Sequence, residues 1–122
     1  ALKMPKASED ERKIRTKALE KATIGAIEIP FEVMKTAFKT LTICAEMTQN
    51  GLKASVSDAG VGAACTRTAV EGAYMNVLIN AKELSNTKIA ESYRKEGLEI
   101  LQKTTKDADR IIKEVFNKVN DK

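Results

Sequence analysis

Apolar residues recur along this chain at the three- and four-residue spacing of helices, and no segment shows the alternation of a half-buried strand. A first helix is predicted to begin at Ser8, whose hydroxyl is placed to accept from the Glu11 amide while the Glu11 carboxylate reaches back, a capping box. Ile14, Ala18, Ala22 and Gly25 then follow on one side, with Arg12, Lys13, Lys17 and Lys21 in more polar directions. The pattern runs to Ile29. Pro30 lacks an amide proton and crowds the preceding turn, so the helix is expected to end or kink there and a second to begin. That second helix carries Met34, Phe38, Leu41, Ala45 and Thr48 as a stripe, and Asn50-Gly51 should close it through the left-handed conformation both residues tolerate.

A third helix is predicted over about 58–82, with Ser57 as its N-cap. From Val70 to Ala81 it is apolar on nearly every side apart from Glu71, Asn76 and Asn80, the pattern of a helix enclosed at the centre of a bundle. After a break around 84–87, capped by Ser85 or Asn86, a long final helix carries Ile89, Tyr93, Gly97, Ile100, Thr104, Ile111, Val115 and Val119 among charged residues. The expected fold is all-α, four helices of an antiparallel bundle, in one domain.

Composition narrows the picture. The 122 residues are 43% hydrophobic but only 4% aromatic, so the core is aliphatic and small residues should let helices approach closely. The net charge of +4 arises from acids and bases interspersed along the same helices, which argues against a nucleic-acid face. No apolar run is long enough for a membrane span. Cys44 and Cys65 stand outside any CxxC or Cys/His cluster and are expected to be reduced, buried thiols of a cytoplasmic protein.

Candidate chemistry concentrates on the central helix. At about 100° per residue, Asp58, Gly62, Cys65, Ala69, Gly72, Asn76 and Asn80 fall close to one line. Helix-interior glycines cost roughly 1 kcal/mol each relative to alanine, so this line calls for close packing of another backbone or a flat ligand. Cys65 is expected to serve packing, and Glu71 lies too far around the helix to share a pocket with Asn76. The chain has no histidine, which excludes Ser/His and Cys/His catalytic pairs and His-ligated metal within it. Chemistry must come from carboxylates, amides, lysines or electrostatics.

The run SVSDAGVGA followed by AVEGAYMNVLIN resembles the signature of the formiminotetrahydrofolate cyclodeaminase and methenyltetrahydrofolate cyclohydrolase family. The upstream LKMPK, SEDERKIRTKALEKAT and IPFEVM segments match in order and approximate spacing. The resemblance implies that residues 1–122 are the C-terminal portion of one cyclodeaminase-like helical domain whose N-terminal part is absent. It implies a homodimer acting on a tetrahydrofolate derivative, without metal, cyclising 5-formiminotetrahydrofolate to 5,10-methenyltetrahydrofolate with release of ammonia. Hydrolysis of the methenyl group, or a non-catalytic helical module of the same fold, are the alternatives. Asp58 is the best remaining acid/base here, with the main one expected upstream of Ala1, and Asn76 and Asn80 would bind the substrate. Lys3 and Lys6, in the LKMPK motif, would meet its glutamate tail.

Overall fold

The computed structural model describes residues 8–121, which form three long helices: α1 (Glu9–Asn50), α2 (Val56–Ala81) and α3 (Thr87–Asn120). A short 3-10 turn, Lys53–Ser55, leads into α2. Among the described residues there is no strand. The chain runs along α1, back along α2 and forward again along α3, and each helix touches the other two.

The expected first and second helices are one. Pro30 lies inside α1. The cost of an interior proline, about 3 kcal/mol, meets three side chains that are buried only if the helix continues across it. Ile27, Phe31 and Met34 flank Pro30 and enter the same core with Val70, Val77 and Leu84. Each such burial contributes about 1.5–3 kcal/mol, so together they outweigh the proline. Three helices therefore replace the expected four.

Capping explains where the helices start. Ser8 and Glu11 form the expected reciprocal box, with Glu11 N donating to Ser8 Oγ at 3.1 Å and Ser8 N to Glu11 Oε2 at 3.3 Å. Asn86 caps α3, its Oδ1 accepting from Lys88 N at 3.1 Å and Ile89 N at 3.2 Å. Two other expectations fail. Gly51 ends α1 in an extended conformation, φ −79° and ψ 178°, and no described residue has positive φ. The 3-10 turn carries the chain onward, so Ser55 rather than Ser57 precedes α2, without a side-chain cap.

Two core clusters lie along the bundle, the second formed by Leu41, Ala63, Ala108, Ile111 and Val115. The α2–α3 seam is tight. A Cβ on Gly97 would stand 2.5 Å from the Tyr74 ring, and one on Gly60 would stand 2.9 Å from Val115 Cγ1. The Tyr74 hydroxyl donates to the Arg94 carbonyl at 2.9 Å, fixing the ring over the glycine. Across α1 and α3, Phe31 and Tyr93 meet edge to face with centroids 5.3 Å apart, and the Tyr93 hydroxyl donates to Glu28.

Candidate functional site

The line of small and polar residues on α2 is where sequence placed the chemistry, and the structure puts most of it at the surface. Asp58, Cys65, Ala69, Gly72 and Asn76 are exposed, while Gly62 and Asn80 are half-buried. The expected enclosure of α2 is thus incomplete. Its inner side, with Ala63, Val70, Ala73 and Val77, is buried, but Val61, Met75 and Ile79 on its outer side are each at least 60% exposed. The reason is the number of neighbours: α1 and α3 cover only two directions around α2. A helix apolar on all sides needs more than that.

Gly72 gives the clearest correction. A Cβ there would meet nothing within 4 Å, so no neighbour among the described residues accounts for the glycine. Cys65 is an exposed free thiol rather than a packing residue. Cys44 is half-buried beside Gly62, where an added Cβ would stand 3.2 Å from its sulfur. Burial pushes the Cys44 thiol up, keeping it protonated.

The same side of the α1–α2 pair is uncharged on α1 as well. Thr40 and Thr66 hydroxyls touch at 2.8 Å, and together with Cys44 and Gly62 they mark the line along which the two helices meet. Helical projection from that line places Ile29, Val33, Thr36, Ile43 and Met47 on the flank of α1 that continues the outer side of α2, opposite α3. Of these, Ile29 is 72% and Ile43 63% exposed. A shallow hollow on this flank is lined by Ile29, Val33 and Thr36 with Glu28, Glu32 and Lys35 at its edge.

Among the described residues, Asp58 and Asn76 do not lie together. Asp58 and Asn76 are 18 residues apart on one helix, and at 1.5 Å per residue the positions are separated by about 27 Å. Asp58 sits in the first turn of α2, where the helix dipole favours a carboxylate. The Asn80 amide turns back on its own helix and donates to the Asn76 carbonyl at 2.9 Å. Lys3 and Lys6 lie outside the described residues.

One polar cluster went unnoticed in the sequence. Glu20 on α1 reaches the α2–α3 connection, its two oxygens accepting from Asn86 N at 3.0 Å, Ser85 Oγ at 2.7 Å and Ser85 N at 3.1 Å. The Asn86 backbone bond, then the Ser85 hydroxyl and amide, hold its carboxyl below the usual range. Arg12, Lys13 and Lys17 line the hollow beside it. No spacing in the sequence signals a partner 65 residues away. Among the described residues, no three His, Cys, Asp or Glu side chains gather where they could hold a metal. No described helix is long and apolar enough to cross a membrane.

Three long helices, with a line of small and polar residues along the outer side of α2, define an all-α protein. A sequence model of the family described as formiminotransferase-cyclodeaminase matches residues 1–99. The chain is 32% identical over 112 residues, 92% of its length, to the formimidoyltransferase-cyclodeaminase of Rattus norvegicus. It is 33% identical over 101 residues to that of Dictyostelium discoideum, and 27% identical over 117 residues to a methenyltetrahydrofolate cyclohydrolase of Methylorubrum extorquens. The chain belongs to the formiminotransferase-cyclodeaminase family. It spans about a fifth of the length of the two formimidoyltransferase-cyclodeaminases and 56% of the cyclohydrolase.

Proposed function

We propose that this chain is part of a cytoplasmic, self-associating folate enzyme that cyclises 5-formiminotetrahydrofolate to 5,10-methenyltetrahydrofolate and releases ammonia. The observation that carries this reading is the family match across residues 1–99, which includes the whole of α2 with its line of Asp58, Asn76 and Asn80. In the reaction the folate N10 attacks the formimino carbon and the amine departs. A carboxylate at Asp58 would take the N10 proton and return one to the leaving nitrogen, an effect of about 10²–10⁴-fold. Asn76 and Asn80 would donate to pterin or amide groups, and Lys3 and Lys6 would face the glutamate tail. Orientation of N10 against the carbon is the other large contribution.

A separation of about 27 Å between Asp58 and Asn76 means that one ring system cannot touch both on one helix, so the two roles given above meet on one substrate only if the residues come from different chains. A complete site therefore needs a further surface laid against α2, and the 122-residue chain by itself is proposed to be inactive. Methenyl-folate hydrolysis is the second reading, supported by the cyclohydrolase relative, of which the chain covers the larger share. The test is to follow methenyl-folate absorbance with formimino-folate or methenyl-folate as substrate, comparing this chain with a polypeptide of the cyclohydrolase relative's length. Turnover by this chain within about tenfold of the longer one, a barrier difference of only about 1.4 kcal/mol, would sink the division of the site. Asp58→Asn in the active polypeptide is expected to lower kcat by about 10²-fold or more.

A further inference from the structure

We infer that Asn50 is a site of spontaneous chemical modification, deamidation to an acid, and that the last turn of α1 governs how fast it proceeds. The inference is independent of the folate reading above.

The chemistry is internal to the chain. The backbone nitrogen of Gly51, on losing its proton to solvent base, attacks Asn50 Cγ; the N–Cγ bond forms, the Cγ–Nδ2 bond breaks and Nδ2 leaves as ammonia. Water then opens the five-membered succinimide at either carbonyl, giving aspartate or isoaspartate, so the net change is amide plus water to acid plus ammonia. A side chain on the following residue hinders the attack, and of the chain's asparagines only Asn50 precedes a glycine; Asn76, Asn80, Asn86, Asn117 and Asn120 do not. The glycine is demanded by the fold, because a Cβ at position 51 would overlap the Met47 carbonyl oxygen. Closing α1 in this way therefore places beside Asn50 the residue that makes it labile.

The same turn slows the reaction without removing it. Asn50 is the last residue of α1, and its Nδ2 donates to Glu46 Oε1 at 3.1 Å, one turn back along the helix. Gly51 N donates to the Met47 carbonyl at 2.9 Å. Attack requires both bonds to open and the side chain to swing forward over Gly51. Lys118 Nζ donates to the Thr48 carbonyl at 2.5 Å and ties this turn to α3. Helix ends are the segments that open most readily, and Asn50 is exposed and Gly51 half-buried, so water reaches both. The product does not restore the turn. A carboxylate at position 50 faces Glu46 four residues before it and the negative end of the helix dipole. Isoaspartate adds one carbon to the backbone between the Met47 carbonyl and the Gly51 amide, so the change runs one way.

Peptide mapping by mass spectrometry tests this, with the 122-residue chain held in mildly alkaline buffer beside a free peptide of residues 46–54. Conversion is expected at Asn50 before any other asparagine, at about a tenth of the peptide's rate or less, since two hydrogen bonds must open first. Lys118→Met, which frees the Thr48 carbonyl, should speed conversion about threefold or more. Asn50→Gln should abolish it, because the longer side chain would have to close a larger ring. In Asn50→Asp, which carries one of the two products, the Gly51 amide should exchange with solvent deuterium about two- to five-fold faster. Circular dichroism is recorded for each variant, so that rates are compared only between folded chains. No conversion at Asn50 once the peptide has converted, or earlier conversion of another asparagine, would overturn the site. A rate equal to the peptide's, or one unmoved in folded Lys118→Met, would overturn control by the last turn of α1.

Discussion

The α1–α2 face and the outer face of α3 are built from the same kinds of helix but end differently. On α3 most apolar residues gather on one side, with Ala90, Gly97, Thr104, Ala108, Ile111 and Val115 buried, and the rest is largely charged, with Leu98, Phe116 and Val119 exposed among the charges. On α2 apolar residues point both inward and outward, and small residues take the outer line where charge would be expected. The difference teaches that glycines in these helices have two distinct causes. Gly97 is explained by a ring inside this chain, and Gly72 by nothing among the described residues.

The sharpest way to break that comparison is Gly97→Leu. The Tyr74 ring is held by its hydrogen bond to Arg94, so it cannot easily withdraw, and overpacking of this kind costs about 3 kcal/mol. For a domain of this size the melting temperature should fall by roughly 10 °C or more, measured by thermal circular dichroism. An unchanged melting temperature would show that the α2–α3 seam opens freely.

Tyr74→Phe should have the next largest effect, about 0.5–1.5 kcal/mol, because it removes the hydroxyl donor and leaves the ring. Gly72→Ala provides the opposite sign. With open space around it, alanine gains helix propensity of up to about 1 kcal/mol, so the chain should become slightly more stable. Destabilisation there would mean that Gly72 packs within its own chain.

The smallest effects are electrostatic. Glu20 has its carboxyl held below the ordinary range by Asn86 and Ser85, so its contribution to stability is present above the unfolded carboxylate pKa and is lost as pH falls through the lower folded value. The melting temperature of Glu20→Gln should therefore approach that of the parent below about pH 4 and fall beneath it near neutrality. On the alkaline side, the Tyr93 phenol is pushed up to about 12 by desolvation, its bond to Glu28 and nearby carboxylates. Its stabilisation holds below about pH 10 and is lost as pH rises through about 12. Absorbance titration of Tyr93 should show that late ionisation, moving earlier in Glu28→Gln.

Much of the fold was legible because its signals are local. The Ser8–Glu11 box, the Asn86 cap and the amphipathic run of α3 each lie within a few residues. Pro30 misled because its cost is local and its compensation is not: Ile27, Phe31 and Met34 gain their burial from residues of α2 and α3. The helical wheel found the polar line of α2 but not its surroundings, since spacing shows which residues share a side and not what that side meets. It also ignored rise, and so grouped Asp58 with Asn76. The Tyr74–Gly97 contact and the Glu20 clasp join residues far apart in sequence, and neither residue type announces its partner.

The length of α1 has a consequence for how the molecule breathes. From Glu9 to Ala26 the helix contains no buried residue, and Ile14 is 58% exposed. This stretch, about 27 Å long, is held by the capping box at its tip, the Glu20 clasp and the partly buried Ile24 near its inner end. Most helical stability in proteins comes from packing of an apolar face, which this stretch largely lacks. Backbone amides here should exchange with solvent deuterium through local fraying, well before those around Phe31 and Leu41, which open only with the whole bundle. The 42-residue helix is therefore two kinetic units on one continuous axis, divided near Ile27 by burial and not at Pro30 by covalent structure.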